Sequence, residues 1–187
     1  MSAKKRKKLS KEEEKLIHHL PSEIANEKKG LALFTDGACR KNPGPGSWAA
    51  LGMEIKSGKL EICFESSGID VPTTNNRMEL SGAINALRLS KDYLIDSEAD
   101  LNGPVFLFSD SKYVIEGIEK WVPGWKQKGW KKADKKTPEN IDLWQELDNL
   151  CQEFNFLKFI WVKGHAGHPQ NEFADQLCNK ALDEAGH

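Results

Sequence analysis

Residues 31–48 read LALFTDGACRKNPGPGSW. The first six residues form an apolar run of strand length, the pattern of a chain entering a core. The run ends in Pro43, Gly44, Pro45 and Gly46, the composition of a turn. Asp36 stands where one becomes the other. The expectation is therefore a strand ending at Asp36 and a tight turn opening at Gly37. Taken singly, an aspartate at a strand end is most often a turn former or a helix cap. In sheets whose strands alternate with helices, the same position is also where functional sites collect.

Working outward, SWAALGMEI and LEICFESSG read as two further strands, joined at KSGK as a hairpin. Residues 75–94 read as a helix, because Met78, Leu80, Ala83, Ile84, Leu87 and Leu94 recur at three- and four-residue spacing. VFLFSD at 105–110 is a strand buried on both faces, ending in Asp110 as the first ends in Asp36. A helix is expected through SKYVIEGIEK, followed by a segment broken by Pro123 and Gly124. Helices at 140–155 and 171–183 flank a fifth strand, FLKFIWV. Three strands followed by helices alternating with two more strands predict an α/β fold with a five-stranded mixed sheet flanked by helices.

The 187 residues, 39% hydrophobic and 29% charged, suit one domain with an appendage. No apolar run is long enough for a membrane helix. Cys39, Cys63, Cys151 and Cys178 are widely spaced and read as reduced thiols rather than a disulfide frame or zinc site. The net charge of −1 conceals segregation: residues 1–30 carry nine Lys/Arg against five Asp/Glu, and residues 112–136 eight Lys against three acids. Such clusters suit a polyanionic partner. Residues 1–30 are read as a basic N-terminal extension ahead of a catalytic domain at 31–187. The extension has no secretory pattern, and its acids argue against a mitochondrial presequence. A short helix over 10–19, capped by Ser10 with Glu13 closing a capping box, is one reading of it. KKRKK at 4–8 suits a nuclear address or a nucleic-acid tail, and a solvated, frayed terminus is the preferred reading.

Glu79 falls one turn into its helix among inward-facing residues, and Asp175 falls beside Ala174 and Leu177 in the last helix. With Asp36 and Asp110 they make four acids at half-buried places with no evident cationic neighbour. Such acids are costly unless paired or bound to a cation. An oxygen-only set of this kind suits a hard ion such as Mg²⁺ or Mn²⁺.

Four ordered stretches, TDGACRKNPGPGSWA, NNRMELSGAINAL, FSDSKYVIEGI and KGHAGHPQNEFADQL, resemble type I ribonuclease H over about residues 31–185. WVPGWKQKGWKKADKKTPENIDLWQELD resembles the basic helical protrusion of its bacterial members. The resemblance implies a ribonuclease H-like fold and cleavage of the RNA strand of RNA–DNA hybrids without strong sequence preference. It places Asp36, Glu79, Asp110 and Asp175 on the metal-binding carboxylates and His165 on a mobile catalytic histidine. Two ions per site are implied with substrate bound, Asp36 bridging them. Asn171 is assigned to orienting the attacking water. Gly37, Cys39, Asn42 and Asn76 match residues that read the ribose 2′-hydroxyl, and Thr74 and Asn75 match contacts to the DNA strand. Lys112 stands where some bacterial relatives carry glutamine.

In the protrusion, Trp121, Trp125 and Trp130 alternate with Lys126, Lys128, Lys131 and Lys132. The lysines suit phosphates, while the tryptophans suit either anchoring or stacking on a deoxyribose. A soluble amphipathic helix with a tryptophan core is the ordinary alternative. The expected partner is an RNA–DNA hybrid duplex, and the expected state is a cytoplasmic monomer. A non-catalytic hybrid-binding module and a junction resolvase or integrase-like nuclease are the rival classes.

Overall fold

The computed structural model describes residues 10–97, 103–164 and 167–187. Five strands form one sheet in the order β3-β2-β1-β4-β5. Strands β1 (Lys29–Cys39), β2 (Gly44–Lys56) and β3 (Lys59–Thr73) run antiparallel, and β4 (Val105–Ser109) and β5 (Leu157–Trp161) add in parallel. The β2–β3 hairpin turns at Ser57 and Gly58, both with positive φ (50° and 80°), the backbone that matches the twist of paired strands. The mixed sheet and the hairpin are as the sequence predicts.

The opening stretch needs a correction. Strand β1 does not end at Asp36. It runs on to Cys39, paired with β2 as far as Cys39 opposite Gly46. Only its parallel pairing with β4 stops early, at Thr35 opposite Ser109. Asp36 therefore lies just past the end of one pairing and within the other. Gly37 is a strand residue, not a turn residue. A Cβ there would come within 2.3 Å of the Glu79 backbone nitrogen, so its lack of a side chain lets a helix lie against the strand. The reversal falls later, where Arg40 N–H donates to the Pro45 carbonyl across a cis Asn42–Pro43 bond.

Because side chains alternate along a strand, β1 and β4 supply both cores. Leu31, Leu33, Val105 and Leu107 face a layer containing Leu80, Ala83, Leu87, Val114, Trp144 and Leu147. Those residues come from α2 (Asn75–Asp96), α3 (Lys112–Glu116) and α5 (Ile141–Cys151). On the other face, Ala32, Phe34, Phe106 and Phe108 join Leu51, Met53, Ile160 and Val162. Phe34 and Phe108 stack there with ring centroids 4.8 Å apart.

Leu16 and Ile24, both fully buried, close this second core. They come from α1 (Lys11–His18) and the turn Ser22–Ile24. The Ser10–Glu13 capping box forms as expected, with bonds of 2.7 and 3.1 Å. A frayed terminus does not describe residues 10–29, because the amphipathic α1 has an apolar surface to cover. The KKRKK run lies outside the described residues. The final helix, α6, spans Pro169–Glu184.

The basic segment is also more regular than expected. After α3 the chain makes one π-helical stretch, Gly117–Trp121, and continues as α4 (Val122–Gln127). Pro123 does not break it: it falls where the π-helical stretch, closed by the Val122 N–H on the Gly117 carbonyl, gives way to α4. The break comes at Gly129 and Trp130, both with positive φ.

Candidate active site

The fold brings Asp36, Glu79 and Asp110 together from three elements. Asp36 comes from β1, Glu79 from one turn into α2, and Asp110 from the residue after β4. One carboxylate oxygen of each lies within 4.8 Å of the others. Thr74 starts α2 by accepting the Arg77 N–H on its hydroxyl, which sets the helical phase that points Glu79 at the strand end. Asp36 and Glu79 are buried and Asp110 is half-buried.

Three carboxylates at this separation repel one another. Burial, then the charges of Asp110 and Asp175, push the Asp36 carboxyl up to about 7, against the pull of the Gly37 N–H and the Cys178 thiol. Burial, then Asp36 and Asp110, push Glu79 well above the usual carboxylate range. Glu79 Oε2 is buried with no hydrogen-bond partner. Among the described residues, none of the four predicted acids forms a salt bridge. The orphaned Glu79 oxygen, on a raised carboxyl beside the raised Asp36, suits a site that a cation completes. The donors are all oxygen, which fits a hard divalent ion.

Asp175, on α6, is outside the 4.8 Å cluster, and Asn179 donates to its Oδ1 at 3.2 Å. It is near enough for its charge to raise Asp36. Asn171 is buried beside the cluster, its Nδ2 donating to Asp110 Oδ2 at 3.3 Å. His165 lies outside the described residues. The loop leading to it passes the site, since a Cβ on Gly164 would come within 2.5 Å of Asp110 Oδ2.

The residues predicted to meet substrate fall into two groups. Gly37, Cys39, Asn42, Thr74, Asn75 and Asn76 gather where the β1–β2 end meets the start of α2. Asn42 Oδ1 accepts from the Asn75 N–H at 3.2 Å, and Cys39 Sγ lies 3.5 Å from the Thr73 carbonyl. In the second group, Trp121 and Trp125 pack with Tyr113 and Trp144 at centroid separations of 5.3 to 6.3 Å. Trp130 packs against the same core. These rings anchor the basic segment to α5. Lys128 and Lys131 are exposed, Lys131 bonding Thr137. Lys126 is engaged at 2.8 Å by Asp148. The ammonium of Lys112 sits 5.3 Å from the Trp161 ring.

Sequence reasoning missed four residues in or beside the site. Arg77 clamps Asp142 with two hydrogen bonds and also reaches Asn140, tying the start of α2 to that of α5. Asn140 donates to the Tyr113 hydroxyl. Trp161 donates its indole N–H to the Asp110 carbonyl at 3.1 Å. Gln170 is fully buried at the start of α6. Each lies in or beside a recognised motif, but its partner is distant in sequence.

A mixed five-stranded sheet with a cluster of carboxylates where the parallel pairing of its central strands stops is an architecture suited to metal-dependent phosphodiester chemistry. The RNase H family model matches residues 28–183. Ribonuclease H of Agrobacterium fabrum is 48% identical over 155 residues, covering 83% of this chain and 96% of that protein. Among solved structures, LC9-RNase H1, described as a type 1 RNase H with the type 2 active-site motif, aligns with a TM-score of 0.67 at 32% identity, covering 82% of this chain and 72% of that one. LC11-RNase H1, solved in complex with an RNA/DNA hybrid, shares the fold with a TM-score of 0.62 at 24% identity, covering 84% of this chain and all of that one. The chain belongs to the ribonuclease H family, type I, and is a nuclease that hydrolyses phosphodiesters. Among the described residues, no helix is long and apolar enough to cross a membrane.

Proposed function

We propose that the protein hydrolyses the RNA strand of RNA–DNA hybrids, without strong sequence preference, using two Mg²⁺ ions that Mn²⁺ can replace. The observation that carries this reading is the cluster of Asp36, Glu79 and Asp110 with its orphaned Glu79 oxygen. Asp36, Glu79, Asp110 and Asp175 would hold the ions, with Asp36 shared between them. Bound there, the ions supply a lowered pKa for the attacking water and charge compensation at the leaving oxygen. Asn171, held on Asp110, orients the attacking water, and His165 moves a proton or helps product leave.

Gly37, Cys39, Asn42 and Asn76 read the 2′-hydroxyl, with Glu79 accepting its proton, because that group alone distinguishes RNA from DNA locally. Thr74 and Asn75 meet the DNA strand. Lys112 contacts the minor groove, Lys128 and Lys131 meet phosphates, and Trp121, Trp125 and Trp130 form the platform that presents those two lysines. The packing of the three rings favours anchoring over stacking on sugar. Residues 31–187 constitute the catalytic unit. A cytoplasmic monomer belongs to the same reading; the four free cysteines suit a reducing compartment.

The test is a cleavage assay on hybrid, duplex DNA and a four-way junction, with Mg²⁺ or EDTA. Cleavage is expected on the hybrid alone and only with metal. Asp36→Asn and Asp110→Asn are each expected to abolish turnover while hybrid binding without metal persists. Normal cleavage by either variant would overturn the assignment of the acids.

A further inference from the structure

We propose that α1 and the turn behind it clamp the start of α6, and that Gln170 is the positioning residue through which the clamp holds Asn171 against Asp110. The family match begins at residue 28, so α1 lies outside the part of the chain that this match covers. Its contacts are nonetheless directed at the site.

Gln170 is 0% exposed. Its Nε2 donates to the Leu16 carbonyl at 2.9 Å and to the His19 carbonyl at 2.6 Å. An amide nitrogen carries two hydrogens, and both are used. The Leu16 carbonyl is one of those that a helix C-terminus leaves without an intrahelical partner. Gln170 thus caps α1 from another element, and α1 in return fixes the first turn of α6. No N-cap side chain fixes it, because His168 at that position makes no side-chain bond; Pro169 only suits the first helical position.

The next residue is Asn171, whose amide reaches Asp110. Further contacts reinforce the clamp. The His19 ring meets His168 edge-on at 5.4 Å. Leu16 and Ile24 pack in one core with Phe34 and Phe108, each two residues before a site acid. One segment therefore holds α6, which carries Asp175, and shares a core with β1 and β4, which lead to Asp36 and Asp110. Removing the two donors would free the first turn of α6 and let the Asn171 amide drift from Asp110.

This inference rests on the proposed function for its kinetic arm, and hydrogen exchange judges it separately. The experiment uses full-length Gln170→Leu, which keeps bulk and removes the donors, with Gln170→Glu as the isosteric companion. Amide exchange over 171–176 is expected to rise at least about tenfold in Gln170→Leu while α2 and α5 are unchanged. Unchanged exchange there would overturn the clamp. On hybrid with saturating Mg²⁺, well below the unfolding temperature, kcat is expected to fall about tenfold with KM within about twofold. Adding Asn171→Ala to Gln170→Leu is expected to cost much less than Asn171→Ala alone, since both act on one contact. Effects of the two substitutions that multiply, or a lower melting temperature with unchanged kcat, would reduce Gln170 to a structural role and overturn the proposal. Wild-type protein that leaves hybrid intact would overturn the functional reading instead, and the exchange result would still decide the clamp.

Discussion

At the residue scale, the site is a set of charges that the fold places at a cost. The unfolded chain ionises Asp36 near 3.8, whereas the folded chain without metal ionises it at about 7. The folded state therefore holds that proton more tightly. The stability this contributes is whole below pH 3.8 and is lost as the pH rises through 7. Over that interval, at about 1.4 kcal/mol per pH unit, the loss is on the order of 4 kcal/mol. Asp36→Asn removes the ionisation but keeps the shape. In EDTA it is expected to melt higher than wild type, by roughly 10 °C at pH 8 and by less at pH 5. Thermal unfolding followed by circular dichroism checks this. A variant that melts at or below wild type at pH 8 would show that Asp36 is not held against repulsion.

At the element scale, the basic segment divides its labour. The π-helical stretch and α4 carry Trp121 and Trp125 onto Trp144, and this packing holds the lysines at a fixed height above α5. Lys126 differs from its neighbours because Asp148, with a side chain only 13% exposed, takes its ammonium. Lys126→Ala is expected to cost about 1 kcal/mol of stability, because it removes the cation from a largely buried carboxylate that keeps its Gln152 bond. Neutralising Lys128 and Lys131 together is expected to leave stability unchanged, raise KM for hybrid and flatten its dependence on salt, with kcat little altered. Urea unfolding and steady-state kinetics at two salt concentrations separate the two cases. The π-helical continuation was not legible in WVPGWKQ, where Pro123 and Gly124 suggest a break. Whether a proline breaks a helix depends on its position in the turn, and that position is set by packing on Trp144.

At the scale of the whole molecule, folding converges acids separated by dozens of residues, and a cation should repay that convergence. On the proposed reading Mg²⁺ binds only the assembled site, so it is expected to raise the melting temperature of wild type in a concentration-dependent way, the stabilisation reaching about 2.7 kcal/mol at a hundredfold its dissociation constant. The shift should be larger at pH 8 than at pH 5, because protons compete for Asp36 and Glu79. Asp36→Asn should abolish most of it. A melting temperature indifferent to Mg²⁺ at pH 8 would remove the carboxylate cluster as the ion's site.

Much of this molecule could be read before any coordinates. Alternation and helical spacing are local properties of a chain, so LALFTD, VFLFSD and the periodic run through Leu80 and Leu87 declared the sheet and its covering helix. The Ser10–Glu13 box declared the start of α1 for the same reason. The ordered motifs around the acids declared the family. Tertiary structure alone decided that β1 runs through Asp36 to Cys39, because that depends on where β2 pairs and β4 stops. It alone decided that Gly37 serves a helix rather than a turn, that Lys126 is spoken for by Asp148, and that Gln170 joins the last helix to the first. Such contacts join positions far apart in the chain, and no local pattern encodes which distant backbone a buried amide will meet.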